Sequence, residues 1–366
     1  MDKIRWGIMG TGIMAHRFAG DMLLSETGRL VAVASRDPQN AKKFAKNVTG
    51  YPSYADLAAS DEIDAIYVAT PNACHRDHCI LALEGGKAVL CEKPLATNAE
   101  DGRAIADAAN AAGKFCMEGM WTTFLPGFAQ IREAVTRGKI GQPLHAHATL
   151  GFARKEAAGD PITDPTLGGG ALLDVGVYCV AMLTQLLGSA KIVSGQVSRS
   201  DTGSIRSCTA MLTHDGVHSS FATSHEANFP NRLEITGTRG RVEVSAPFIQ
   251  AQSARIWTFE SQLYAAQAPQ SALAIRVKSS RIWPKSRKIA KIVLGSSGKR
   301  VECDYVGTGL QYQIDELGRA LENGKQQSDV FSLGHSISIL KILDKLDTSK
   351  GFQPDRANTQ RARFTK

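Results

Sequence analysis

An α/β fold in two unlike halves is predicted by three features of this 366-residue chain: strand–helix alternation over the first third, a change of pattern after Phe124-Leu-Pro126, and period-two strands beyond Leu187. Strands alternating with helices build a parallel, doubly wound sheet. Strands in which apolar and polar residues alternate build a mostly antiparallel sheet with one face on a core and the other open. The length suits two domains, which divide as 1–123 and 124–346, followed by a polar tail at 347–366.

Composition narrows the class before any motif is considered. A chain with 43% hydrophobic and 21% charged residues is an ordinary globular protein. No apolar run approaches the length needed to cross a bilayer, and the N-terminus has no signal-like apolar region, so a cytoplasmic location is expected. The 7 cysteines are scattered without a CxxC pair, which predicts reduced core thiols and no metal centre. The net charge of +8 is local, because Ser261 to Val301 contains no Asp or Glu while Lys and Arg recur from Arg276 to Arg300. This basic insertion, about 262–300, is expected to be a solvated excursion or an oligomer contact. The alternative is a contact with an anionic surface, membrane or nucleic acid.

The first strand, Ile4 to Met9, runs into Gly10-Thr-Gly12-Ile13-Met14-Ala15 and a helix through Leu24. Gly10 permits the tight turn, Gly12 lets backbone approach a pyrophosphate, and the helix N-terminus around Ile13 and Met14 faces the anion. This is the entry to a Rossmann dinucleotide-binding domain. The second strand, Leu30 to Ala34, ends in Ser35-Arg36, where NAD enzymes carry an acidic residue for the ribose hydroxyls. A hydroxyl and a guanidinium suit a 2′-phosphate, so NADP is expected, with NAD as the alternative should Asp37 bind the ribose.

Further strands at Ile63 to Ala69, Ala88 to Cys91 and Lys114 to Glu118 alternate with helices through Leu83 and from Ala99 to Ala112. Thr70-Pro71-Asn72 and Glu92-Lys93-Pro94 fall at strand carboxyl ends, where such sheets bind their ligands. Lys93 is thereby placed at the edge of the cofactor crevice. After Pro126 come a helix (Phe128 to Arg137), a strand (Leu144 to Phe152) and Gly168-Gly-Gly-Ala-Leu-Leu-Asp174-Val-Gly176-Val-Tyr178. Asp174 and Tyr178, four apart on a helix, share a face, and the intervening Gly176 implies close packing or ligand approach. A core aromatic at Tyr178 is the plainer reading of the same residues. Hairpins are expected at His214-Asp215-Gly216 and Thr238-Arg239-Gly240. His145, His147, His214, His218 and His225 are expected to serve surface or packing roles.

The ordered set GIMGTGIMA, TPNACH, CEKPLA, MWTTFLP and GGGALLDVGVYCV resembles the glucose–fructose oxidoreductase / inositol dehydrogenase (Gfo/Idh/MocA) family, and within it the dihydrodiol dehydrogenase and D-xylose dehydrogenase branch. The resemblance runs from the first strand to about Phe248 and resumes from Tyr312 to Leu346. It implies an NADP(H)-dependent oxidoreductase acting on a carbinol or carbonyl carbon of a sugar or cyclic polyol, assembled as a homodimer or homotetramer through an open sheet. Lys93 would be catalytic and Tyr178 the proton donor or acceptor, a neighbouring ammonium favouring the phenolate. Asp174 would bind substrate hydroxyls and hold Lys93, Trp121 would meet the substrate, and Thr70, Asn72, His75 and Glu92 would line the cofactor cleft. Two departures stand out: Thr123 replaces an arginine common among relatives, and the basic insertion has no counterpart. A cofactor-binding regulator of the same fold without turnover is the competing function.

Overall fold

The computed structural model describes residues 3–259 and 298–347; the basic segment at 260–297 and the tail from 348 lie outside the described residues. The first half runs β1 (Ile4–Met9), α1 (Ile13–Met22), β2 (Gly28–Ala34), α2 (Pro38–Lys42), β3 (Thr49–Tyr51) and α3 (Tyr54–Ala59). It continues with β4 (Ala65–Val68), α4 (His75–Glu84), β5 (Ala88–Glu92), α5 (Ala99–Ala112) and β6 (Cys116–Gly119). The strands form one parallel sheet in the order β3-β2-β1-β4-β5-β6. That order reverses between β1 and β4, so a crevice opens beyond the carboxyl ends of these two strands.

Local sequence explains the elements that the apolar pattern alone leaves out. α2 and α3 are too short to show a helical period. Each begins at a side-chain cap: Asp37 accepts from the Gln39 N–H, and Ser53 from the Asp56 N–H. β4 and β5 are buried along their whole length, as a doubly covered parallel sheet demands. Tyr67 on β4 stacks on Phe18 of α1 with ring centroids 3.8 Å apart, which locks helix onto sheet beneath the glycine turn.

The second half comprises α6 (Pro126–Thr136), β7 (Pro143–Gly151), α7 (Val177–Leu187), β8 (Lys191–Arg199), β9 (Ile205–His214) and β10 (Val217–Ser224). Then follow β11 (Leu233–Gly237), β12 (Gly240–Val244), β13 (Ser253–Thr258), β14 (Lys299–Glu302), α8 (Gln311–Glu322) and α9 (Leu333–Asp347). The sheet order is β14-β13-β12-β11-β7-β10-β9-β8, antiparallel throughout except for the β7–β10 pair. Both expected hairpins form, the first with Asp215 at φ 48° and Gly216 at φ 88°. α7 packs on the inner face, where Leu212, Phe221, Leu233 and Val242 are buried. The outer face shows Thr209, Met211, His218 and His145 to solvent.

α8 and α9 turn back onto the parallel sheet. Asp315 of α8 accepts from the Ser25 and Thr27 hydroxyls and from the Glu26 and Thr27 N–H groups, and Asp21 of α1 accepts from Thr308 and Leu310. These buried carboxylates use several donors each, which a buried charge requires. Asp344 of α9 accepts from the Ala99 N–H at the start of α5, 2.9 Å away. Among the described residues, no helix is long and apolar enough to cross a membrane, no group of His, Cys, Asp and Glu could hold a metal, and the cysteines are free thiols.

Candidate active site

At one end of the crevice the chain presents backbone and exposed side chains. Gly10 has φ 113°, and a Cβ there would lie 2.6 Å from the Ala69 carbonyl oxygen, so turn and strand contact together require glycine. Gly12 begins α1 with no side-chain cap, and a Cβ on it would point into open space. The amino end of α1 around Ile13 and Met14 therefore keeps unsatisfied N–H groups facing an unobstructed cradle, as a pyrophosphate site needs. Ser35 is buried with its hydroxyl 3.3 Å from that of Thr11, while Arg36 is exposed. Asp37 spends its carboxylate on capping α2.

At the other end, side chains from three elements meet. Lys93 follows β5 through a cis bond to Pro94, and its Nζ donates to Asp174 at both the backbone oxygen (2.7 Å) and Oδ1 (2.8 Å). Asp174 sits in a π-helical turn, Leu172–Gly176, that leads into α7, and such widened turns recur at functional sites. Gly176 packs its backbone so closely on β10 that a Cβ would stand 3.3 Å from Thr223 and 3.1 Å from Leu172. Tyr178, one turn on, accepts from the Trp121 indole N–H at 2.7 Å, and Lys93 Nζ lies 5.1 Å from its ring centroid.

The charges follow from burial and partners. Burial alone would discharge both Lys93 and Asp174; their mutual attraction reverses this, raising the ammonium above and holding the carboxyl below their ordinary values. Asp174 Oδ2 gains a second partner, the Nε2 of His225, at 3.0 Å. Since an ionised carboxylate only accepts, Nε2 carries the proton, and Nδ1 has no partner among the described residues. At Tyr178 burial is the largest influence and holds the phenol above its usual value, Lys93 pulls it down as expected, and Glu92 adds to the rise.

Several residues expected along the cleft have side chains engaged within the protein. His75 is fully buried, with its ring nitrogens 2.8 Å from the Pro94 oxygen and 2.9 Å from the Thr70 oxygen. Burial pushes its pKa down to about 4, so the neutral ring has a single N–H to share between two carbonyls and acts as a brace between strand ends. Glu92 points into the sheet, where the Tyr67 hydroxyl donates to it, and burial raises its pKa. Asn72 donates to the Gly168 oxygen at 2.9 Å, tying the first domain to the glycine loop, and Thr70 meets His78. Thr123 is buried with its hydroxyl on the Met120 oxygen. His225 corrects the expectation of a packing role. It follows β10 directly, outside any motif, and only the pairing of β10 with β7 and the approach of the π-helical turn bring it to Asp174.

Comparison with known proteins agrees with this architecture. Residues 4–120 match the family model described as an oxidoreductase family with an NAD-binding Rossmann fold, and residues 128–243 match the GFO/IDH/MocA C-terminal domain. A mouse (Mus musculus) trans-1,2-dihydrobenzene-1,2-diol dehydrogenase is 31% identical over 350 residues, covering 93% of this chain and 95% of that one. The enzyme of the same name from Macaca fascicularis is 35% identical over 253 residues, covering 67% of this chain and 75% of that one. Among solved structures, a 3-ketoreductase from Actinomadura kijaniata in complex with NADP and TDP-benzene superposes with TM-score 0.77 at 23% identity, over 95% of this chain and 98% of the other. An aldose-aldose oxidoreductase from Caulobacter crescentus superposes with TM-score 0.74 at 21% identity, over 94% and 96% of the two chains. At those identities the superpositions establish the shared fold.

Proposed function

The chain belongs to the GFO/IDH/MocA family of NAD(P)-binding oxidoreductases, and on that premise we propose an NADP(H)-dependent enzyme that oxidises or reduces a carbinol or carbonyl carbon of a sugar or cyclic polyol. The observation that carries this reading is the convergence of Lys93, Asp174 and Tyr178 beyond the carboxyl end of β5, at the edge of the crevice. The nicotinamide supplies the hydride when bound. The uncapped start of α1 and the open cradle at Gly12 fit the pyrophosphate, and Ser35 with Arg36 fits a 2′-phosphate. Engagement of Asp37 as a helix cap weighs against NAD.

The chain's own groups divide the remaining work. Tyr178, a phenol at neutral pH, acts as the acid that delivers a proton to the substrate oxygen in reduction. Giving up that proton leaves a phenolate, whose charge Lys93 stabilises, and in oxidation it is this phenolate that accepts the proton of the substrate hydroxyl. Trp121, whose N–H donates to the phenol oxygen, holds it in place. Asp174 keeps Lys93 charged and directed. A homodimer or homotetramer formed through the outer face of the eight-stranded sheet is part of the same reading, since such an open face presents polar strands suited to a symmetric partner.

The test follows nicotinamide absorbance with NADP⁺ and NAD⁺ against aldoses, inositols and cyclic diols. Wild type should turn over at least one class and favour NADP⁺, and Tyr178→Phe should lose about 10²–10⁴-fold in kcat. Undiminished turnover by Tyr178→Phe would remove that residue from the chemistry. Cofactor binding with no turnover of any class would favour the regulator.

A further inference from the structure

Resting on the oxidoreductase reading above, we propose that the substrate carries a negative group, a carboxylate or a phosphate, and that Arg154 is the residue that recognises it. Asp174 already has its partners: Lys93 takes Oδ1 at 2.8 Å and His225 takes Oδ2 at 3.0 Å. Arg154 Nε stands 4.0 Å from Oδ2, beyond hydrogen-bond reach, and its guanidinium makes no hydrogen bond among the described residues. The fork of donors beside the catalytic carboxylate is therefore uncommitted. Its side chain is 39% exposed, against 17% for Asp174, so it borders the opening where the carboxylate meets solvent.

The base of Arg154 is held although its head is free. Its N–H donates to the His225 oxygen at 2.8 Å, and its carbonyl accepts from Arg206 Nη2 at 2.8 Å. A fixed backbone under an uncommitted guanidinium suits bidentate recognition of an oxyanion. Lys93 and Asp174 neutralise each other, so the charge of Arg154 beside them is additional to that pair.

The experiment compares D-glucose, D-glucuronate and D-glucose 6-phosphate with the holoenzyme, using wild type, Arg154→Gln and Arg154→Lys. For wild type, kcat/KM for one of the two anions should exceed that for glucose by about tenfold or more at low salt. The two anions separate carboxylate from phosphate recognition. The anion-to-glucose ratio should fall about tenfold in Arg154→Gln, fall less in Arg154→Lys, and shrink as ionic strength rises from about 50 to about 500 mM. A glucose preference, or an equal loss for all three compounds in Arg154→Gln, would overturn the inference. If none of the three is turned over, calorimetry on the NADPH-loaded protein decides. Anion binding that Arg154→Gln weakens upholds the recognition site and counts against the sugar-oxidoreductase reading; absence of anion binding overturns the inference itself.

Discussion

The two ends of the crevice are built by opposite means. The end proposed for the nucleotide, Gly10 to Met14 with Ser35 and Arg36, is made from two short stretches of chain, free N–H groups and an exposed guanidinium. The end proposed for catalysis is made from the residues that follow β5 and β10 and from the π-helical turn, and its charges are nearly enclosed, Lys93 and Asp174 exposing 14% and 17% of their side chains. An exposed end can lose one contact and still bind, because water replaces what is lost. An enclosed end cannot, since each buried charge there depends on the next.

That contrast is most sharply tested at Lys93. Lys93→Met should lower kcat by about 10³-fold or more, while NADPH affinity moves by less than about tenfold. Rapid-mixing kinetics with fluorescence titration of NADPH would check both, and a collapse of affinity would mean that the two ends are one site. His225 comes next. His225→Leu should cost about 10–10²-fold in kcat and raise the acid limb of the pH–rate profile, because Asp174 loses the donor on Oδ2. Rescue by His225→Gln, which restores an N–H, would separate positioning from mere packing.

At the nucleotide end, Arg36→Ala should raise KM for NADP⁺ by about tenfold with a much smaller effect on NAD⁺. An equal effect on both cofactors would deny Arg36 a role in phosphate recognition. An effect on stability rather than turnover concerns Glu118, whose buried carboxyl is pushed up to about 7 by desolvation. A carboxyl with a raised folded pKa contributes stability that is fully present below the unfolded pKa of about 4.3 and is lost as pH rises through the folded value. Glu118→Gln, which does not ionise, should therefore gain on wild type between pH 5 and pH 8, by about 3 kcal/mol at most. Denaturant midpoints at the two pH values would show this, and a constant difference would place the ionised carboxylate in the native state.

Much of the fold follows from local pattern. The parallel sheet, both hairpins and the position of the glycine turn are written in stretches of ten residues or fewer, where periodicity and turn chemistry decide the outcome. Three short elements between Pro38 and Ala59 escape that reading because neither a single turn of helix nor a three-residue strand shows a period. Within the site, Lys93, Asp174 and Tyr178 were legible because strand end and helical spacing place them. Glu92 and His75 stand in the same motifs yet turn inward, toward Tyr67 and toward two backbone carbonyls. A motif gives the order of residues along the chain, not the side of the strand end that each side chain takes.

The amino-acid sequence by itself determined the dinucleotide turn, the Ser35-Arg36 ending of the second strand and the ammonium at the end of the fifth, because each depends on neighbours in the chain. Only the tertiary structure decided that Tyr178 is enclosed against the Trp121 indole, that His225 completes Asp174 and that Arg154 keeps an uncommitted guanidinium at the opening. The reason is physical. Burial and partner choice depend on residues dozens of positions apart, such as the 51 that separate His225 from Asp174, and desolvation exists only once the chain has closed around the group.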